Sequence, residues 1–301
     1  MAQLFNEGEN MKKLFLVMAI ILFPTFVFAG DWLISSDLSL NLTQNAYSDN
    51  WTGGEVGSLS WTSLANATAE KQLSDKWNWK NVGKFGFGQT HKQNAETNDW
   101  EAPEKSTDKI DIESVVKMTV GSIVDPYGAF RFESQFLDNS EPSLKRLVNP
   151  IRLTESAGGS RSIYKQDKDE IVTRVGFAVR EYIDRVVVSI NPDKTKTETT
   201  NDGGLEWVSD VKYTISPERL RYEGKLTVFQ ALYNSKSDEL KGLPNEDYWK
   251  TADANWENLL TASITKYVQV TLYTQLVYDK EIDKGGRFKE TLAMGLTYKL
   301  F

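Results

Sequence analysis

A chain of 301 residues with a formal net charge of -7 lacks the basic excess that a nucleic-acid binder needs to neutralise phosphates. It contains no cysteine, which removes disulfides, thiol nucleophiles and every cysteine-based metal motif. Aromatic residues make up 12% of a sequence that is 40% hydrophobic and 26% charged, so large Trp, Tyr and Phe side chains are set in a polar chain, unlike the balance of a helical membrane bundle.

At the N-terminus, MKKLFLVMAIILFPTFVFAG sets Lys12 and Lys13 before an apolar run from Leu14 to Phe28, with Val27 and Ala29 at the spacing of a small-residue cleavage site. Residues 11–29 therefore read as a secretory signal peptide cut after Ala29. The apolar run is shorter than the roughly 20 residues a spanning helix needs. Gly30, where a lipid-bearing Cys would stand, leaves no expectation of lipid attachment. Residues 1–10 carry no part of such a signal and read as a non-native extension, with Met11 as the start and 30–301 as one domain.

From there on, apolar residues recur at every second position, which predicts β-strands and no helix of three turns. In chain order the first apolar faces are Leu38–Leu42, Leu59–Ala67, Trp77–Phe87, Ile110–Val120 and Phe130–Phe136. Residues 147–164 follow, where Pro150 and Gly158-Gly159 are expected to interrupt a regular strand. Then come Ile171–Val179, Leu205–Ile215, Leu220–Val228, Trp256–Ile264, Val268–Tyr278 and Phe288–Leu300. Short turns are expected at 74–76, at DPYG (125–128), at 165–169, at 216–218 and near Lys266. Long polar loops are expected at 47–57, 91–107, 137–145, 191–204, 233–255 and 279–286. The sum is an all-β antiparallel meander of about twelve strands with no repeat of fixed period.

A soluble sandwich also alternates, but three features favour a transmembrane up-and-down β-barrel. The segments are long enough for tilted strands of about 9–11 residues to cross a bilayer, whereas soluble strands are nearer five or six. Long charged side chains oppose each apolar face, as a wet barrel interior would receive them. Trp32, Trp61, Trp77, Trp207, Tyr222, Trp256, Tyr278 and Tyr298 are expected near strand ends, where amphipathic rings settle at a lipid interface.

The closing segment LAMGLTYKLF, an alternating strand ending on Phe301, resembles the C-terminal strand of bacterial outer-membrane β-barrel proteins. It departs from the usual pattern in that Tyr298 and Leu300 share a face and Phe301 falls on the other. The resemblance implies residence in the bacterial outer membrane among its lipids. It also implies periplasmic chaperones and the barrel assembly machinery as partners during biogenesis, and a last strand that pairs with the first because lipid tolerates no open edge.

No catalytic constellation emerges. His91, the single histidine, could meet Asp99 or Ser106, but nothing beside it matches the His-x-Ser-Asn-Gly type of outer-membrane phospholipase sequence, and it reads as a loop histidine. No metal or cofactor motif is present, and Asp238, Glu239, Glu246 and Asp247 read as a solvated acidic loop. The inward charges are more informative: Lys117, Arg131, Glu133, Arg174, Arg180, Asp210, Lys212, Arg221, Glu223 and Lys225 are the candidate pore-lining set. Two readings follow from it. The set lines a narrow channel for small polar or anionic solutes, or it cancels as salt bridges that plug the lumen and leave a structural or adhesive barrel acting through its loops. An outer-membrane hydrolase centred on His91 is a third.

Overall fold

The computed structural model describes residues 32–47, 55–217 and 219–299. The signal segment at 11–29, the extension at 1–10 and the terminal Phe301 lie outside the described residues.

The strands are β1 (Leu33–Asn45), β2 (Ser58–Gln72), β3 (Trp77–Lys92), β4 (Glu104–Met118), β5 (Asp125–Ser134), β6 (Leu137–Asp138), β7 (Arg146–Leu147) and β8 (Ile151–Gln166). They continue as β9 (Asp169–Ile190), β10 (Asp193–Ser216), β11 (Leu220–Asn234), β12 (Asp253–Ser263), β13 (Val268–Tyr278) and β14 (Arg287–Lys299). Twelve of them, β1–β5 and β8–β14, pair antiparallel with their sequence neighbours and close through β1 and β14 into a barrel. Short turns join strands at one end, where β1 begins and β14 ends, and longer excursions join them at the other.

Alternation forms the wall and also orients it. Val175, Phe177 and Val179 on β9, Leu205 and Trp207 on β10, and Phe288, Leu292, Met294 and Leu296 on β14 are all exposed on the outside. A soluble protein does not display so continuous an apolar exterior, whereas hydrocarbon accepts it. Between them Arg174, Ala178, Arg180 and Glu206 are buried on the inside.

Four expectations need correction. DPYG is the start of β5, and the turn is 119–124; Pro126 is tolerated because it sits at the first residues of the strand. Phe136 does not prolong that strand, which stops at Ser134. Residues 151–166 form one continuous strand through Gly158 and Gly159, with Pro150 just ahead of it and a register shift against β9 only between Ser162 and Tyr164. The stretch 191–204 is not a loop: β9 and β10 run on as a hairpin that turns at Asn191-Pro192, its β10 arm Thr-rich with no apolar face and its β9 arm carrying Val186, Val187, Val188 and Ile190.

The excursion at 135–150 is also structured. It carries the small β6–β7 sheet, which fills the notch above β5 and β8 between β4 and β9. Phe136 packs on the outward Phe87 and Ile110, and Asp108 accepts the N–H groups of Phe136 and Leu137 at 2.6 and 2.9 Å. Arg146 and Asn149 reach β9, where Arg146 donates to the Arg185 carbonyl and Asn149 Oδ1 accepts the Arg185 N–H, both at 2.8 Å. Burial opposes charge on Asp138, yet hydrogen bonds from Ser140 and Asn149 and the Arg146 guanidinium outweigh it and hold the carboxyl below the usual carboxylate range.

Candidate functional site

In a closed wall, two side chains on non-neighbouring strands can meet only through the lumen. Lys109 of β4 donates to Glu257 of β12 at 2.9 Å, and β12 lies six strands from β4 in either direction, so this ion pair spans the barrel's diameter.

A network surrounds it. Glu113 of β4 accepts from Arg174 of β9 and Lys225 of β11, each at 2.7 Å, and Arg174 also meets Asp210 at 3.3 Å. Arg131 holds Asp111 through both arms at 2.9 Å and Glu133 at 3.0 Å. Towards the short turns Lys80 of β3 meets Glu170 of β9 at 3.3 Å, again across the interior. Asp111, Arg174, Lys225 and Glu257 are buried, and charges so far from water persist only when each has an opposite partner close by.

All ten sequence-selected residues lie on the inward set given by the strand register. Arg131, Glu133, Arg174, Asp210 and Lys225 join this network; Arg180 stands nearer the loops, pairing with Asp253 at 2.9 Å while its guanidinium stacks 3.5 Å from the Phe229 ring centroid. Lys117, Lys212, Arg221 and Glu223 stand nearer the short turns, where Arg221 and Glu223 pair at 3.2 Å. Sequence reasoning did not select Glu257, Asp253 or Glu170 for the site. Glu257 follows Trp256 on one of the weaker apolar patterns, and that alternation is the signal that could have found it.

Other candidates stand apart. His91 is on β3 opposite Leu59, and among the described residues no hydrogen bond joins it to Asp99 or Ser106. In the loop at 235–252 Asp238 pairs with Lys241, Asp247 with Lys250, and Glu246 accepts the Gly242 N–H.

On the loop side of the network lies a polar cavity of ≈ 50 Å³, with Arg131, Arg152, Arg180, Glu206, Thr154 and Thr227 among its lining. Trp249, from the loop at 235–252, packs beside it on the buried Phe229, Ala178 and Ala231. Lys280 and Lys284 sit 4.8 and 5.7 Å from the Tyr248 ring centroid and tie the loop at 279–286 to the loop at 235–252.

A family model described as "Protein of unknown function (DUF3078)" matches residues 42–139. No curated protein matches the sequence. Among solved structures, the translocator domain of the autotransporter NalP from Neisseria meningitidis is 8% identical over 97% of both chains, with a TM-score of 0.37. An outer membrane channel from Pseudomonas putida F1 is 11% identical over 91% of this chain and 96% of that one, with a TM-score of 0.39. The transport unit of the autotransporter AIDA-I from Escherichia coli is 6% identical over 97% of both chains, with a TM-score of 0.33. With its closed twelve-stranded antiparallel wall, apolar outside and charged within, and with short turns at one end and long excursions at the other, this chain is a transmembrane β-barrel.

Proposed function

We propose that the barrel is sealed at its midsection and works through its loop-side end, the second of the two readings of its interior charges. The observation that carries this is the Lys109–Glu257 ion pair across the full diameter, with Glu113 tying β4 to β9 and β11 beside it. An anion path would need basic side chains free to attract counter-ions, and here Arg131, Arg174 and Lys225 are each engaged by carboxylates within 3.0 Å. Delivery by periplasmic chaperones and insertion by the barrel assembly machinery belong to the same proposal, on the pattern of the terminal strand.

Recording in planar bilayers tests the seal. The refolded wild-type barrel is expected to carry no steady current, and Lys109→Ala combined with Glu113→Ala is expected to open one. A steady, anion-selective wild-type current would replace this reading with the channel.

A further inference from the structure

The two edges of the β9–β10 hairpin are finished differently. On the β9 side the excursion at 135–150 occupies the backbone of Arg185, whose carbonyl accepts from Arg146 and whose N–H donates to Asn149. On the β10 side, among the described residues, no strand but β9 pairs with Asp193–Thr200, because β11 ends at Asn234, opposite Asp202. Asn201 donates its N–H to the Ser235 hydroxyl and its carbonyl accepts the Ser235 N–H, both at 2.9 Å, so its backbone groups point to that edge. By alternation those of Thr195, Thr197 and Thr199 point the same way, with no strand to meet them. Such an edge is a template for another strand.

The side chains along the edge say which strand fits. If an antiparallel partner is a second copy, hydrogen bonding through the three threonines allows the two-fold centre to fall on Lys196, Thr197 or Glu198. Centred on Lys196, two lysines face each other, and centred on Glu198, two carboxylates do; like charges directly opposite are destabilising. Centred on Thr197, Lys196 of each copy faces Glu198 of the other and Thr195 faces Thr199, with no like charges opposed. Glu198 is suited to a second cation, since Asp184 stands opposite it on β9 and Lys196, at 3.3 Å, is its one ion-pair partner among the described residues.

Strand direction fixes where the second copy stands. Each hairpin rises from its own membrane, so two antiparallel hairpins belong to barrels in membranes that face each other. Copies side by side in one membrane would run parallel and bring like charges together.

We propose that the β10 edge pairs antiparallel with the same edge of a second copy in a facing membrane, centred on Thr197, and so joins membrane to membrane. The proposal deepens the loop-side reading and rests on it for the loop-side end being the one that meets partners.

Clustering of vesicles that carry the refolded full chain tests it, read as energy transfer between two differently labelled populations, with protease access counting the outward-facing copies. Wild-type vesicles are expected to cluster. Lys196→Glu alone sets acid against acid and Glu198→Lys alone sets base against base, so each is expected to cluster at least about tenfold less than the wild type. Mixing vesicles of one variant with vesicles of the other restores both opposite-charge pairs and is expected to restore clustering between the two populations. Heat-modifiable migration confirms that both variants fold. Wild-type vesicles that stay apart, a single variant that clusters as the wild type does, or a mixture that stays apart would overturn the pairing. Bilayer recording on the same protein separates the two ideas: a conducting barrel that clusters in this pattern sinks only the seal, and a silent one that does not cluster sinks only the pairing.

Discussion

The β8–β11 sector and the seam between β1 and β14 are both antiparallel wall, yet their edges are closed in different ways. The β9–β10 ladder runs from Asp193↔Ile190 to Lys212↔Glu170, whereas β14 meets β1 only from Gly295 to Lys299. Arg287–Met294 pair with β13 on one side and, among the described residues, have no β1 partner on the other. Where β9 outruns β8, side chains stand in for the missing strand, since Arg146 and Asn149 satisfy both backbone groups of Arg185. Unpaired backbone is costly in lipid and an invitation to strand addition elsewhere, so the two sectors differ in stability for a reason that lies in their edges.

The sharpest way to break the well-paired sector is through its closest backbone approach. Gly204 faces inward between Ala178 and Ala231, at a shift in register against β11, and a Cβ there would collide with the Gln230 carbonyl. Gly204→Val is expected to cost more than the about 1–3 kcal/mol usual for overpacking, because the obstacle is main chain and cannot rotate away. No heat-modifiable band in SDS gels is the expected result, and wild-type migration would refute the approach.

Next in size is a pair of neighbours on β9. Val175→Arg turns a charge towards hydrocarbon and is expected to cost about 2–4 kcal/mol near the midplane. Sequence alone makes Arg174→Val the milder change, but in the structure it strips Glu113 and Asp210 of a buried partner, which raises the expected cost to about 3–5 kcal/mol. Adding Glu113→Gln should recover part of the second loss and none of the first. Urea titration of folding into lipid vesicles measures both, and identical responses to Glu113→Gln would contradict the assignment of faces.

The smallest expected effect compares the edges themselves. Amides of 287–294 should exchange with solvent deuterium faster than those of 205–215. Arg146→Ala should cost about 1–3 kcal/mol through the freed Arg185 carbonyl and bring exchange around that residue closer to the behaviour of the seam. Uniform protection along both sectors would mean that the seam is closed by something other than strand pairing.

The wall was legible because lipid outside and charge inside impose a period of two, as Val175, Phe177 and Val179 against Arg174 and Arg180 make plain. The run Asp193–Thr200 was not, because it is made of Thr alternating with charged residues and has no apolar side to display. Its Thr195, Thr197, Thr199 and Thr200 were the remaining cue, through β-propensity alone. The inward direction of Glu113 could be read from its neighbours. Its partners could not, since Arg174 and Lys225 lie 61 and 112 residues along the chain and meet it only through the curvature of the closed wall.

The β9–β10 hairpin outruns its neighbours, since β8 begins opposite Ile183 and β11 ends opposite Asp202. At about 3.3 Å per residue, the stretch from Asp184 to Ile190 adds roughly 23 Å of strand length, and somewhat less height because barrel strands are tilted. In a barrel whose short turns face the periplasm, that height points away from the cell. The Asn191-Pro192 tip thus stands beyond the ends of the two strands that flank the hairpin. A foreign peptide spliced between those two residues would ride clear of the bilayer, which makes the hairpin a ready-made mast for display.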